Sequence, residues 1–307
     1  MNHFILLLEP APPFRLDLTV WALRRRPDNE VDRWDGETYR RVLSLNGRPV
    51  GVAVTQMGPP DVPRLQVTVT GVPAKRAESS VTAALNRMLG LQTSLSGFYR
   101  LAKTDRRLRI LAQRFRGLKP PRFPTLFEAL ANAIACQQIT LTMGIRVLNG
   151  LAQTYGPSIN GSGIHAFPQP TALARLEADE LRRFKLSRQK AFALTELSCA
   201  IVDRSVDLEY LAALDDEAAL TRLLQFRGVG RWTAAYVLLR GLGRIHIFPG
   251  DDVGARNNLK RWLGLKKPLD YEGTQRLLAK WKPYAGLIYF HLLLDGLAEA
   301  GTLTLHN

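Results

Sequence analysis

The chain has 307 residues, and 42 Lys or Arg against 27 Asp or Glu give it a formal net charge of +15 at pH 7. The 46% content of hydrophobic residues excludes an intrinsically disordered chain, while the positive charge favours a polyanionic partner such as a nucleic acid. Two cysteines, Cys136 and Cys199, are too few for an iron–sulfur cluster or an all-cysteine zinc site.

The apolar segments of the sequence are short. No run approaches the roughly eighteen apolar residues of a transmembrane helix, and the early run from Phe4 to Leu8 lacks the basic start of a signal peptide. We therefore expect no membrane partner and a reducing, cytoplasmic location, associated with the nucleoid if the source is bacterial.

The first 72 residues carry the alternating pattern of β-strands. Apolar residues alternate in three segments: Leu16, Leu18 and Val20; Val50, Val52 and Val54; and Leu65, Val67 and Val69. The dipeptide Asn46-Gly47 lies just before the second of these segments, and it is typical of a type I′ hairpin turn. The pattern predicts an antiparallel sheet.

After Pro73 the apolar spacing becomes helical. Val81, Leu85, Met88 and Leu89 begin a series of predicted helices that continues almost to the end of the chain. The change of pattern falls between residues 72 and 100. We therefore predict an α+β fold in which residues 1–95 form an antiparallel α+β domain and residues 96–307 form an all-α region.

The helical region begins after a stiff connector that contains Pro120, Pro121 and Pro124. Thr125 and Glu128 predict a capping box at the start of a helix that ends near Gln137-Gln138. Further helices are predicted around residues 171–184, 190–201, 217–225 and 233–242.

The segment Arg227-Gly228-Val229-Gly230-Arg231 lies between two of these helices. Its glycines allow the peptide amides to approach a phosphate closely, and the following helix adds its positive N-terminal end. The two arginines add positive charge. An ordinary helix–helix turn with a glycine cap is the alternative interpretation of the same pattern.

A second loop, Pro249-Gly250-Asp251-Asp252, brings two carboxylates to the start of another predicted helix. Either aspartate could serve only as a helix cap, because an aspartate at that position accepts hydrogen bonds from free backbone amides. A carboxylate beside a DNA-binding hairpin could equally take part in chemistry.

Four motifs occur in an order that resembles the 3-methyladenine DNA glycosylase II (AlkA-type) family of the helix-hairpin-helix superfamily. They are Gln137-Gln138-Ile139, the hairpin continued by Trp232-Thr233-Ala234, Phe248-Pro249 with Asp252, and Trp281-Lys282-Pro283-Tyr284. The resemblance covers essentially the whole chain. It implies an N-terminal antiparallel domain, a helix-hairpin-helix region with a cleft between two helical lobes, and excision of alkylated purines from double-stranded DNA.

By this resemblance the catalytic carboxylate is Asp252, and the damaged base is held by Trp232, Tyr236 and Tyr284. The implied DNA-binding residues are Gln137, Gln138, Arg227, Gly228, Val229, Gly230, Arg231 and Thr233. Gln138 is placed to fill the gap that a flipped base leaves. The resemblance implies no metal cofactor and leaves open a monovalent cation at the hairpin carbonyls. We expect a monomer.

Trp232 stands where relatives that also cleave the DNA strand carry a lysine. Because an indole cannot form a Schiff base, the sequence predicts a monofunctional enzyme that uses water and leaves an abasic site. The aromatic pair Trp232 and Tyr236 favours a cationic, alkylated purine. Ala285 and Val253 depart from residues common in the family, so the preferred base among 3-methyladenine, 7-methylguanine, hypoxanthine and ethenoadenine stays open.

Two other functions fit parts of the sequence. A non-catalytic helix-hairpin-helix DNA-binding protein would share the hairpin but would not need Asp252, and a glycosylase for oxidised purines would share the domain layout but favour a lysine at position 232. A basic run is either a DNA track or a solvated helix face. It comprises Arg100, Lys103, Arg106, Arg107, Arg109, Arg114, Arg116, Lys119 and Arg122.

Overall fold

The computed structural model describes residues 3–159 and 163–304, without the side chains of residues 75 and 76. Within this part of the chain one antiparallel sheet has the strand order β1-β5-β4-β3-β2. The strands are β1 (His3–Leu8), β2 (Arg33–Trp34), β3 (Thr38–Leu45), β4 (Arg48–Gln56) and β5 (Leu65–Thr70). The turn between β3 and β4 has positive φ at Asn46 (50°) and Gly47 (74°), which confirms the predicted type I′ hairpin.

The alternation of Leu16, Leu18 and Val20 predicted a strand, and this prediction is wrong. These residues belong to helix α1 (Leu16–Arg24). Leu16 and Val20 pack into the core beneath the sheet, whereas Leu18 packs into a core of the helical region. Because two sides of α1 are buried, apolar residues occur at every second position, which is also the spacing of a half-buried strand.

Helical structure dominates the rest of the described chain. The helices are α2 (Ala74–Leu89), α3 (Ser96–Lys103), α4 (Arg106–Arg114), α5 (Leu126–Cys136), α6 (Leu141–Tyr155), α7 (Pro170–Leu173), α8 (Ala178–Arg182), α9 (Arg188–Val202), α10 (Asp216–Leu224), α11 (Arg231–Arg240), α12 (Val253–Leu263), α13 (Tyr271–Leu278) and α14 (Ala285–Glu299), with two 3₁₀ segments, Glu209–Ala213 and Ala279–Tyr284. The predicted helix at 171–184 is instead the short pair α7 and α8, and the helices predicted at 190–201, 217–225 and 233–242 are confirmed as α9, α10 and α11.

The helices form two lobes with separate hydrophobic cores. The first core is built mainly by α5, α6, α9, α10 and α11. The second is built by α3, α4, α12 and α14 together with one face of α1. Helix α11 contributes to both, because Tyr236 lies in the first core and Leu239 in the second. The start of α12 and the start of α11 therefore meet where the two lobes join.

A buried ion-paired joint connects the sheet to the first lobe. The Arg41 guanidinium bonds Asp32 Oδ1 at 2.6 Å and both carboxylate oxygens of Glu128 at 2.5 and 2.6 Å. Thr125 accepts from the Glu128 amide at 3.1 Å, as predicted. The Glu128 side chain, however, pairs with Arg41 in place of completing the predicted capping box, because the buried arginine needs a carboxylate.

No helix in the described ranges combines the length and the apolar character needed to cross a membrane. Cys136 and Cys199 are both free thiols.

Candidate active site

The hairpin between α10 and α11 contains two glycines with different surroundings. Gly228 has φ = 75°, and a Cβ atom there would lie 2.9 Å from the Ala193 methyl group. Gly230 is the N-cap of α11 with φ = −98°, and a Cβ atom there would meet nothing within 4 Å. The fold therefore requires glycine at 228, whereas at 230 the backbone is left open to an approaching ligand.

Gln137 ties the end of α5 to the hairpin. Its amide nitrogen donates to the Gly228 carbonyl at 2.7 Å and to the Thr233 hydroxyl at 2.8 Å. Gln138 follows with φ = 52° and is exposed, and its neighbour Ile139 is 38% exposed. Gln137 therefore helps to hold the hairpin in position, whereas the side chains of Gln138 and Ile139 are exposed.

Asp252 is the N-cap of α12 and lies at the junction of the lobes. Its Oδ1 accepts from the backbone amide of Ala255 at 2.8 Å. Its Oδ2 accepts from the indole nitrogen of Trp232 at 3.2 Å, and the residue is partly exposed. The carboxylate is therefore held in position from both sides, beside the positive end of a helix.

The neighbouring Asp251 has a separate role. It forms a bidentate ion pair with Arg231, with distances of 2.5 and 2.9 Å, and the Arg231 guanidinium lies 4.0 Å from the ring centre of Tyr271. Across the hairpin, Arg227 contacts Glu196 at 3.2 Å. Both arginines predicted to bind DNA thus have acidic partners on the protein, and both side chains remain more than half exposed, at 54% and 55%.

Trp232 and Tyr236 form the predicted aromatic pair. Their ring centres lie 5.5 Å apart with an interplanar angle of 31°. Tyr284 is not brought to this pair. Its ring packs against Phe98 at 5.7 Å, and its hydroxyl lies so close to Gly97 that a Cβ atom there would be 2.1 Å away. The pocket position that the resemblance gave to Tyr284 therefore has no support in the geometry.

Three residues that the sequence analysis missed contact Tyr236, and we call them the pocket floor: Arg25, Asn132 and Arg240. Arg25 donates to the Tyr236 hydroxyl at 3.0 Å and to Asn132 Oδ1 at 2.8 Å. Arg240 donates to the carbonyl oxygens of Ala22 and Leu23 at the end of α1, at 2.8 and 3.2 Å. Arg25 is 4% exposed and Arg240 is fully buried.

Tyr289 on α14 is a further missed residue. It is 8% exposed and packs edge-on against Phe248 at 5.8 Å. Burial raises the pKa of its hydroxyl, and the nearby Asp252 carboxylate raises it further. The Tyr289 hydroxyl therefore lies near enough to Asp252 to be affected by its charge, and in the sequence only its position in an apolar run indicates burial.

The basic run divides into two groups. Arg107, Arg114, Arg116, Lys119 and Arg122 bond to carboxylates or backbone carbonyls of the protein. Arg100, Lys103, Arg106 and Arg109 are exposed, and the described residues offer them no ion pair. This second group is therefore the part of the basic run that is available to contact a DNA backbone.

Between residues 3 and 159 and between 163 and 304, no three His, Cys, Asp or Glu side chains are arranged to hold a metal ion.

Comparison with known proteins identifies the family. Residues 131–283 match the model of the HhH-GPD superfamily of base excision DNA repair proteins. A DNA-3-methyladenine glycosylase of Bacillus subtilis is 29% identical over 220 residues, which cover 71% of this chain and 72% of that protein.

Among solved structures, a 3-methyladenine DNA glycosylase from Archaeoglobus fulgidus aligns with a TM-score of 0.82 and 27% identity, covering 97% of this chain and all of that one. An 8-oxoguanine glycosylase/lyase of Clostridium acetobutylicum, solved with double-stranded DNA, shares the fold at 16% identity with a TM-score of 0.75, covering 96% and 98% of the two chains. The chain belongs to the HhH-GPD superfamily of base excision DNA repair proteins.

Proposed function

We propose that this protein is a monofunctional DNA glycosylase that rotates an altered purine out of double-stranded DNA and hydrolyses its N-glycosidic bond. The observation that carries the proposal is the position of Asp252, whose two carboxylate oxygens are bonded by Ala255 and Trp232. This carboxylate lies where the two lobes join, and it accepts a hydrogen bond from Trp232 in the first turn of the helix that follows the hairpin. A protein that only bound DNA would not need an oriented carboxylate there.

Asp252 supports the chemistry through its charge. As the N-glycosidic bond breaks, the sugar acquires oxocarbenium character, and a fixed carboxylate stabilises that positive charge. The same group can orient a water molecule and accept its proton. The hydrogen bond from Trp232 at 3.2 Å holds the carboxylate in place while leaving its remaining lone pairs available.

Trp232 also explains the monofunctional outcome. It occupies the position from which a lysine amine would attack the sugar in a strand-cleaving relative, and an indole cannot form that covalent bond. Water is therefore the nucleophile, and the product is an abasic site in an intact strand. The same residue distinguishes this proposal from a lyase acting on oxidised purines.

The hairpin supplies the DNA contact. Because a Cβ atom on Gly230 would meet nothing within 4 Å, a phosphate can approach the amides at the start of α11 directly. Base flipping costs a few kcal/mol, and Gln138, exposed beside the hairpin, is placed to occupy the vacated space. A monomer suffices, since every proposed group comes from one chain, and we place the enzyme in the cytoplasm or on the nucleoid.

A monovalent cation at the hairpin carbonyls belongs to the proposal as an auxiliary group. The Gly228 carbonyl already accepts from Gln137 at 2.7 Å, and a carbonyl oxygen has a second lone pair that a cation can share. Such a cation would supply positive charge near a bound phosphate. The hydrolysis itself depends on no metal and no organic cofactor.

The test uses duplexes that each carry one altered purine, with release of the free base resolved by chromatography. We expect Asp252→Asn to lower the rate by about 10²–10⁴-fold while duplex binding survives, because the change removes a charge and little volume. Asp251→Asn is the matched control, since it alters the adjacent carboxylate and breaks only the Arg231 pair. Retention of activity to within about tenfold in Asp252→Asn would contradict the assignment.

A second measurement tests whether an amine of the protein attacks the sugar. With borohydride present, no covalent protein–DNA adduct should form, and the strand should break only after hot alkali. An adduct that requires the altered base would show that an amine attacks the sugar.

A further inference from the structure

Lys190 lies in the first turn of α9, which is an unfavourable place for a cation. The positive end of the helix dipole repels an ammonium group there, and Ser187 already caps the helix by accepting from the Lys190 amide at 3.3 Å. Lys190 therefore gains no stability from the dipole of its own helix. The partners of its ammonium group lie on another element.

Those partners are two backbone carbonyls at the end of α5. Lys190 Nζ donates to the Ala135 carbonyl at 3.1 Å and to the Gln137 carbonyl at 2.5 Å. The last carbonyls of a helix lack partners within it and carry partial negative charge, so an ammonium group stabilises them. The last turn of α5 contains no basic residue, and Lys190 supplies the missing cation from a different helix.

The second of these carbonyls belongs to the peptide that joins Gln137 to Gln138. The chain leaves the helix at this peptide, with ψ = 136° at Gln137 and φ = 52° at Gln138. A left-handed conformation is unfavourable for a residue with a side chain, and it persists where the surrounding bonds determine it. Because the hydrogen bond from Lys190 fixes the plane of this peptide, it restricts the rotations on both sides of that plane.

The side chain of Gln137 holds the same turn from another direction. It donates to the Gly228 carbonyl at 2.7 Å and to the Thr233 hydroxyl at 2.8 Å. Gln137 is thus bonded to α9 through its main chain, and to the hairpin and α11 through its side chain. The exposed Gln138 follows directly, so these bonds set the direction in which it leaves the protein surface.

We propose that Lys190 is a positioning residue for base flipping, which holds the turn at Gln137 and Gln138 in the conformation that presents Gln138 to the gap left by a flipped base. The proposal rests on the glycosylase function proposed above and adds a residue that acts through another. A turn that is ordered before DNA binds avoids the entropy cost of ordering it during flipping. Lys190 therefore assists the flipping step and not the hydrolysis.

The experiment compares two duplexes that differ only opposite the altered purine. This purine is the one that the unaltered protein releases fastest, and it is placed opposite either its pairing base or an abasic-site analogue. Flipping costs less in the second duplex, because no base pair has to be broken. The measured quantity is the ratio of the kcat/KM values for the two duplexes, which does not depend on the fraction of folded enzyme.

We expect Lys190→Met to lower kcat/KM by about tenfold for the paired duplex and by less than about threefold for the unpaired one. Lys190→Arg keeps a cation near the two carbonyls and should restore both values to within about threefold. Lys119→Met is the matched control, because it removes another ammonium group that bonds to a backbone carbonyl, that of Thr93 at 2.5 Å. It should leave the ratio unchanged.

A fluorescence measurement follows flipping without hydrolysis. A 2-aminopurine placed beside the altered purine becomes brighter when its neighbour leaves the stack, and Asp252→Asn is expected to bind the duplex without releasing the base. Adding Lys190→Met to Asp252→Asn should reduce the rise at saturating protein by about threefold. An equal rise in the single and the double variant would contradict a role in flipping.

Three results separate the alternatives. Equal losses on the two duplexes in Lys190→Met, or no loss on either, would overturn the inference, because a residue needed only for the fold does not distinguish paired from unpaired bases. Binding of an undamaged duplex should stay within about threefold of that of the unaltered protein, and a larger loss would mean that Lys190 contacts phosphates instead. Release of no base by the unaltered protein would refute the proposed function itself.

Discussion

Two regions of this molecule bury arginine between the N-terminal part of the chain and the first helical lobe, and they treat its charge in opposite ways. In the ion-paired joint, Arg41 is 2% exposed and faces two carboxylates, Asp32 and Glu128. In the pocket floor, Arg25 and Arg240 are buried to a similar extent but bond to a phenol, an amide and backbone carbonyls.

The difference lies in what compensates the buried charge: carboxylates in the joint, and uncharged hydrogen-bond acceptors in the pocket floor. Removing a charge from water costs several kcal/mol, and a fold recovers part of this by pairing, as the joint does. In the pocket floor the bonded partners of the arginines are uncharged: the Tyr236 hydroxyl, the Asn132 amide and backbone carbonyls at the end of α1.

Removing one of the two carboxylates from the joint should produce the largest loss of stability. Glu128→Gln leaves Arg41 buried with one charged partner, and we expect the free energy of unfolding to fall by about 3 kcal/mol. Urea unfolding at neutral pH measures this loss. The rate of base release, compared at a temperature where both proteins are folded, should change little because Glu128 is not among the bonded partners of Asp252.

Glu196→Gln is the control for this change. Glu196 is 60% exposed and pairs with Arg227 at 3.2 Å, so its removal should cost less than about 1 kcal/mol. Equal losses for Glu128→Gln and Glu196→Gln would show that the joint contributes no more than a surface pair. The buried carboxylate pairing of Arg41 would then contribute no special stability to distinguish the joint from the pocket floor.

Lys119 is a buried cation of a third kind, and its substitution should have the next largest effect on the free energy of unfolding. It is fully buried, its ammonium group has the Thr93 carbonyl at 2.5 Å as its one partner among the described residues, and burial lowers its pKa to about 8. A lysine can lose its proton, whereas an arginine cannot. At neutral pH the charged form is therefore a burden on the folded state, and Lys119→Met should stabilise the protein by about 1–2 kcal/mol.

The pH dependence identifies the cause. Above pH 8 the folded protein releases the Lys119 proton, while the unfolded chain keeps it up to about pH 10.4, so the stability of the unaltered protein rises across this window. The advantage of Lys119→Met should therefore shrink between pH 8 and 10, as measured by urea unfolding. The exposed Lys103→Met should show no such trend, and a constant advantage across the window would mean that packing, not titration, stabilises the variant.

The local features of the site could be predicted from the sequence, because each depends on neighbouring residues. Asn46-Gly47, Thr125 and the Gly-Val-Gly hairpin each specify a turn or a cap within a few positions. The roles of Asp251 and Asp252 were separated by the family resemblance, and the structure places Asp252 beside Trp232 and Asp251 beside Arg231.

Features that depend on distant parts of the chain could not be predicted. Arg25 lies 211 positions from Tyr236, and nothing in the sequence around it distinguishes it from Arg24 or Arg26. Helix α1 was assigned to the wrong class because it is buried against two cores at once. The resemblance alone points to Tyr284 as a pocket residue, and in the structure its ring packs against Phe98, a residue of the second core that is distant in sequence.

The two hairpin glycines differ within a single turn, because Gly228 is crowded by the fold and Gly230 is open, and their substitutions should have the smallest effects. Gly228→Ala places an alanine at φ = 75° with its methyl group 2.9 Å from that of Ala193, so it should cost about 1–2 kcal/mol of folding free energy. Gly230→Ala adds a methyl group in open space at an ordinary backbone angle, and its unfolding free energy should change by less than about 0.5 kcal/mol.

Binding of an undamaged duplex, measured by fluorescence anisotropy at fixed salt, should reverse this order. The new methyl group of Gly230→Ala lies where a phosphate would approach the α11 amides, and we expect its affinity to fall by about tenfold. Gly228→Ala, assayed at a temperature where it is folded, should bind within about threefold of the unaltered protein. Unchanged binding by Gly230→Ala would mean that the DNA backbone does not contact the hairpin at this point, because a phosphate that approaches those amides cannot avoid the added methyl group.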